Sequence, residues 1–157
     1  MLEYQVSARR LDAYGSQADT KDASLILDTD LAGRRDAFNP AELLLASLAA
    51  CILKGVERVA PMLDFAFTGI SVTLHGIRQD APPKMLSIDY AVTVETDETD
   101  QRLALLLRNI QKYGTIHNTC ATAVTIIGAR SVAFGEVSLH ETTLQGDVSR
   151  IYRDFAY

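Results

Sequence analysis

From Leu43 to Leu53 the chain is apolar at every position except Ser47, and this run constrains the fold more than any other feature. Just ahead of it Asn39 suits a helix N-cap, and Pro40 suits the first helical position. Glu42, three residues past the cap, can bond back to the Asn39 amide. The segment AELLLASLAACILKGVERVA, residues 41–60, is therefore predicted as one helix of about 20 residues stopped by Pro61. Its apolar part cannot span a bilayer, which takes about 20 residues of helix. It is a core helix. Apolar on nearly every face down to Leu53, it needs cover all round. One small sheet and two further helices make a thin cover, so a second subunit is expected to supply the rest.

The remaining segments read as strands and two shorter helices. Leu2 to Leu11 alternates in part, Asp12-Ala13-Tyr14-Gly15 is turn chemistry, and Ala23 to Asp28 is a compact apolar strand. A polar connection, Thr29 to Phe38, follows. Phe67 to Arg78 alternates with Ile70, Val72 and Leu74 on one face, and Asp80-Ala81-Pro82-Pro83 turns the chain. Met85 to Glu95 then returns, which predicts an antiparallel hairpin. Residues 96–100 cap a second helix whose buried stripe is Leu103, Leu106, Leu107 and Ile110, ending at Tyr113-Gly114. A short third helix is expected from near Thr115 past Cys120, with further strands at Val124 to Ile127 and Val132 to Leu139. The pattern predicts a single α+β domain over residues 1–157, without internal repeat or linker.

A net charge of −5 argues against a nucleic-acid partner and against a polybasic membrane patch. Met1-Leu2-Glu3-Tyr4-Gln5 lacks signal-peptide character, so a cytoplasmic location with both thiols reduced is expected. The two cysteines, Cys51 and Cys120, stand 69 positions apart and outside any Cys-x-x-Cys pair. His75, His117 and His140 are scattered. Neither a metal nor an organic cofactor is expected from this pattern.

Cys51 is the first candidate for chemistry. At about 100° per residue, Ser47, Lys54, Gly55 and Arg58 fall within about 60° of it around the helix. Two cations on that side would favour thiolate over thiol. Against this stands the habit of free cysteine to pack as a small, inert hydrophobe. Cys120, within Asn118-Thr119-Cys120-Ala121-Thr122, is by default a buried structural thiol. His117 is either a general base or a helix-surface residue. Gly33 has no partner glycines for a phosphate-binding loop. Arg34-Arg35 is a solvated loop or an anion site, and Glu57 a surface ion-pair partner.

The segment NPAELLLASLAAC, from Asn39 to Cys51, resembles the helix motif of the OsmC/Ohr family, the osmotically inducible and organic-hydroperoxide-resistance proteins. Gly69 to Arg78 followed by Pro82-Pro83, then Tyr113-Gly114-Thr115-Ile116, look like later landmarks of OsmC-like members. The resemblance covers most of the chain. It implies an α+β fold of antiparallel sheets packed around a long buried central helix, in an intertwined homodimer with active sites at the subunit interface. The implied activity is thiol-dependent reduction of organic hydroperoxides, with a small thiol or dithiol as reductant. Cys51 matches the peroxidatic position, whose thiolate attacks the peroxide and becomes a sulfenic acid that a second cysteine traps as a disulfide. Arg10 or Arg9 matches the arginine that stabilises this thiolate. Cys120 is the available second cysteine, and Arg9, Thr115 and His117 are binding-site candidates.

The chain departs from the family pattern at three points. The catalytic glutamate position is Ala41, and Glu42 lies about 180° round the helix from Cys51. The resolving-cysteine position is Gly114. Cys120 comes six residues later, about 9 Å along a helix and on another side, whereas a disulfide needs Cα atoms within about 7 Å. These departures place a second reading beside the peroxidase: a dimeric binding or stress-response protein that keeps the fold and a pocket near Cys51 without turnover.

Overall fold

Asn39 caps the long helix as its sequence dictates. Its Oδ1 accepts from the Ala41 and Glu42 amides at 2.9 and 3.0 Å, and the Asn39 amide donates to Glu42 Oε2 at 2.8 Å. Helix α1, Pro40–Val59, grows from this box, and a 3-10 turn, Pro61–Leu63, follows it. The structure, a computed structural model, describes residues 1–133. Most of the strand expected over Val132 to Leu139, together with His140 and the tail, lies outside the described residues.

The chain forms two compact units, Met1–Ser47 and a second beginning at Leu48. In the first, β1 (Ser7–Arg10), β2 (Gly15–Thr20) and β3 (Ala23–Asp28) form an antiparallel meander with Arg10 opposite Ser16 and Gly15 opposite Asp28. Asp12 Oδ1 makes the first turn by accepting from the Tyr14 and Gly15 amides at 2.8 and 3.0 Å. The Asp28 carboxylate organises the next loop, accepting from the Asp30 and Arg34 amides at 3.1 and 3.0 Å. β1 is exposed along its whole length, and only Gly15 and Asp28 are buried in the three strands.

The second unit holds β4 (Gly69–Gln79), β5 (Lys84–Glu95), α2 (Asp100–Tyr113), α3 (Thr115–Cys120) and β6 (Thr125–Ala133). The predicted hairpin is present as the antiparallel pair β4–β5. β6 lies on the other side of β5 and runs parallel to it, because the connection through α2 and α3 carries the chain back over the sheet. Instead of breaking between Val124–Ile127 and Val132, the last strand runs on through Gly128, Ala129 and Arg130. Gly128 is a packing requirement here: a Cβ on it would stand 2.5 Å from the Tyr90 ring. α3 stops at Cys120 rather than running past it, with Ala121 as its C-cap.

Along β5 the buried residues alternate, Ile88, Tyr90, Val92 and Val94. With Leu103, Leu106 and Ile110 of α2 and Leu48, Ile52, Val56 and Val59 of α1 they make the core. Each such side chain contributes about 1.5–3 kcal/mol by leaving water. Leu107, expected in the α2 stripe, is half-buried. The four α1 positions form one stripe. Leu53 is 37% exposed, and Ala50, Lys54, Glu57 and Arg58 also face solvent. Within one chain α1 is therefore covered on one side, not all round.

A polar clamp holds the end of α1. Thr99 Oγ1 caps α2 by accepting from the Arg102 amide at 3.4 Å. Arg102 pairs with Glu98, and its guanidinium also donates to the Leu63 and Asp64 carbonyls at 2.9 and 2.6 Å.

Candidate functional site

Two glycines let α1 approach α2 closely. A Cβ on Gly55 would stand 2.7 Å from Ile110 Cγ2, and a Cβ on Gly114 would stand 3.3 Å from Cys51 Sγ. The contact moves four residues back along α1 while moving four forward from Ile110, so the helices run antiparallel, one turn per contact. Cys51 thus packs directly on the backbone where α2 hands over to α3. Gly114 closes α2 by donating its amide to the Gln111 carbonyl at 3.3 Å, and its extended backbone opens α3.

The same point gathers two further groups. A Cβ at 114 would also lie 3.1 Å from His117 Cβ and 3.0 Å from the Ile110 carbonyl oxygen. His117 follows Gly114 by three residues and precedes Cys120 by three, which places it between them on the surface of α3. Its residue is half-buried, yet Nδ1 is sealed from solvent and has no hydrogen-bond partner among the described residues. Cys120 is buried at the end of α3. Burial pushes its thiol up, and the neighbouring Cys51 sulfur acts in the same direction. Cys120 is thereby kept as thiol, within electrostatic reach of Cys51.

Of the residues singled out in the sequence, Cys51 and His117 both come up to Gly114, and Cys120 stands at the far end of α3. Both cysteines are free, Cys51 half-buried and Cys120 buried. Thr115 begins α3 but is exposed, its carbonyl accepting from the Thr119 hydroxyl at 2.9 Å. Arg9 and Arg10 lie exposed on β1 in the first unit, where Arg9 donates to Gln17 Oε1 at 3.2 Å. Ser47 turns its hydroxyl onto the Leu44 carbonyl at 2.7 Å, and Lys54 and Arg58 are exposed. Arg34 forks onto Asp36 through two contacts of 2.6 Å, so its guanidinium is engaged within its own loop.

Gly114, read in the sequence as a helix stop and as the family's resolving-cysteine position, is also the packing partner of Cys51, which sequence reasoning missed. The signal was the spacing Gly114-x-x-His117-x-x-Cys120, which sets three small or reactive groups at successive neighbouring positions on one short helix. A separate shallow groove of about 300 Å³, lined by Glu57, Ala60, Pro61, Asp64, Phe65, Ala66 and Phe67, includes none of these groups. Among the described residues no three His, Cys, Asp or Glu side chains cluster as a metal site, and no helix is long and apolar enough to cross a membrane. A half-buried cysteine with a histidine close by suits two-electron sulfur chemistry, in which the sulfur is oxidised and another thiol condenses with it.

Comparison with known proteins fits this arrangement. Residues 33–127 match the family described as OsmC-like protein. No curated protein matches the sequence. Among solved structures, the OsmC-like protein from Mycoplasma pneumoniae superposes with a TM-score of 0.76 at 18% identity, over 84% of this chain and 98% of that one. An organic hydroperoxide resistance protein OsmC from Legionella pneumophila gives 0.68 at 21% identity, over 84% and 100%. The organic hydroperoxide resistance protein OhrB of Bacillus subtilis gives 0.62 at 16% identity, over 83% and 98%. At these identities the structural likeness establishes the fold, and the family match spans more than half of the sequence. The chain belongs to the OsmC-like protein family.

Proposed function

We propose that this chain is a thiol-dependent peroxidase that reduces organic hydroperoxides through Cys51, with Cys120 as its second thiol. The Cys51 sulfur attacks the terminal peroxide oxygen, the O–O bond breaks, and the alkoxide leaves with a proton as the alcohol. Cys51 becomes a sulfenic acid. The Cys120 thiol then displaces its oxygen as water, forming a disulfide that an external dithiol reduces to restore both thiols. The observation that carries this reading is that Cys51, at the peroxidatic position of the family motif, packs its sulfur against Gly114 with His117 beside it. The names of the Legionella pneumophila and Bacillus subtilis structures agree with the substrate class.

The working unit is proposed to be a homodimer in the cytoplasm, where two free thiols persist. Supporting the dimer, the first unit leaves Leu11, Tyr14, Leu25 and Ile26 exposed in the single chain. Light scattering that returned the mass of one chain at micromolar concentration would remove the dimer. Arg10, with Arg9 beside it, is proposed to reach a Cys51 thiolate in that assembly.

The test is consumption of cumene hydroperoxide with dithiothreitol as reductant. Cys51→Ser is expected to abolish turnover, and Cys120→Ser to slow recycling while sparing the first oxidation. Ala41 at the family's glutamate position favours a second reading, a binding protein without turnover. Wild-type protein that holds cumene hydroperoxide without consuming it would establish that reading instead.

A further inference from the structure

His117 carries a contradiction that a purely structural residue would not. Its Nδ1 is sealed from water and unbonded among the described residues, and buried polar nitrogens in native folds are otherwise satisfied. The side chain departs from the point where the Cys51 sulfur meets Gly114, and α3 places it between Gly114 and Cys120. Nδ1 makes no hydrogen bond to the Cys51 sulfur, although both side chains come up to Gly114. The rest of the residue is half-buried, which leaves the ring a route to exchange protons with solvent.

Resting on the peroxidase reading, we propose that His117 is the acid–base residue of the site, with Nδ1 bonded to the hydroperoxide oxygens and carrying the proton between them and Cys51. In the first step the imidazole takes up the proton that the Cys51 thiol releases. As the sulfur forms its bond to the terminal peroxide oxygen and the O–O bond breaks, the imidazolium returns that proton to the departing alkoxide. The balance is one thiol and one hydroperoxide giving one sulfenic acid and one alcohol, with the imidazole unchanged. Of the titratable groups, Cys51 from α1 shares the Gly114 contact with His117, and Cys120 follows three residues on along α3. α2 offers the Ile110 carbonyl, while its Lys112 and Tyr113 are exposed.

The experiment is single-turnover oxidation of the full-length protein by cumene hydroperoxide, read as dimedone-trapped sulfenic acid on Cys51 by mass spectrometry. Cys120→Ser serves as background so that the sulfenic acid accumulates. His117→Asn is expected to lower the oxidation rate constant about 100-fold. Alkylation of Cys51 by iodoacetamide, whose iodide leaves without a proton, should fall by much less than the oxidation, since it draws on the imidazole only as a base. Added imidazole should restore part of the rate in His117→Ala. A His117→Asn rate within about threefold of the background protein would overturn the role of His117 while leaving the peroxidase reading standing. If His117→Asn does not fold, a His117→Ala protein whose oxidation rate added imidazole leaves unchanged overturns the proposal. No sulfenic acid in the background protein at any pH would remove the peroxidase reading, and this inference with it.

Discussion

Gly114 offers its bare Cα to the sulfur of Cys51: a Cβ added there would stand 3.3 Å from Sγ. In a disulfide the Cβ of one cysteine lies about 3 Å from the sulfur of the other, as bond lengths and angles require. The backbone at 114, with φ −78 and ψ 105, accepts any residue. G114C is therefore expected to form a disulfide with Cys51 on mild oxidation, after the His117 Cβ and Ile110 carbonyl give by a few tenths of an ångström. Non-reducing peptide mapping checks this. A free Cys51 in the oxidised variant would mean that the helix ends stand in another register.

Cys120 should react slowly where Cys51 reacts readily. Burial holds its thiol above the ordinary range, with the Cys51 sulfur adding to the effect. At neutral pH, iodoacetamide is expected to label Cys120 at least about tenfold more slowly than Cys51, since the thiolate is the nucleophile. The sign for stability follows. Because the folded-state value is raised, the contribution is present below the ordinary thiol pKa and is lost as pH rises through the raised one. Cys120→Ala should flatten the alkaline fall in melting temperature.

Gly55 sets the spacing of α1 and α2. Its Cβ would meet Ile110 Cγ2 at 2.7 Å, and a β-branched side chain has little freedom to turn away. Gly55→Ala improves helix propensity by about 1 kcal/mol, but overpacking costs about 1–3 kcal/mol. A net loss of stability is expected in urea unfolding, with peroxide reactivity at Cys51 also reduced as α1 is pushed off Gly114.

Glu98 gives the structure part of its acid sensitivity. The Arg102 guanidinium, and then the Ala66 amide, hold its carboxyl below the usual carboxylate range. A lowered folded-state value means stability that is full above the ordinary carboxylate pKa and disappears as pH falls through the lowered one. Glu98→Gln should therefore lower the melting temperature at neutral pH and make its decline toward acid shallower. Equal slopes for the two proteins would show that Glu98 takes no part.

The N-cap at Asn39, the Thr99 cap, the alternation along β5 and the turn at Pro82-Pro83 were all legible in the sequence. Each depends on groups a few residues apart, within one turn of helix or one step of a ladder. Cys51 was legible as a reactive candidate on the same terms, because its helix and its apolar neighbours are local. Its surroundings were not. That Gly55 faces α2 and Gly114 faces α1 at antiparallel register, that His117 comes up to the same point, and that its Nδ1 is left unbonded among the described residues are consequences of closing long loops and packing helices. Gly128 shows the same limit from the other side: read along the chain it breaks a strand, whereas against the Tyr90 ring it is what lets the strand continue. Short-range periodicity determined the elements; contact between distant backbones, set by which side chains are small enough to permit it, decided the chemistry.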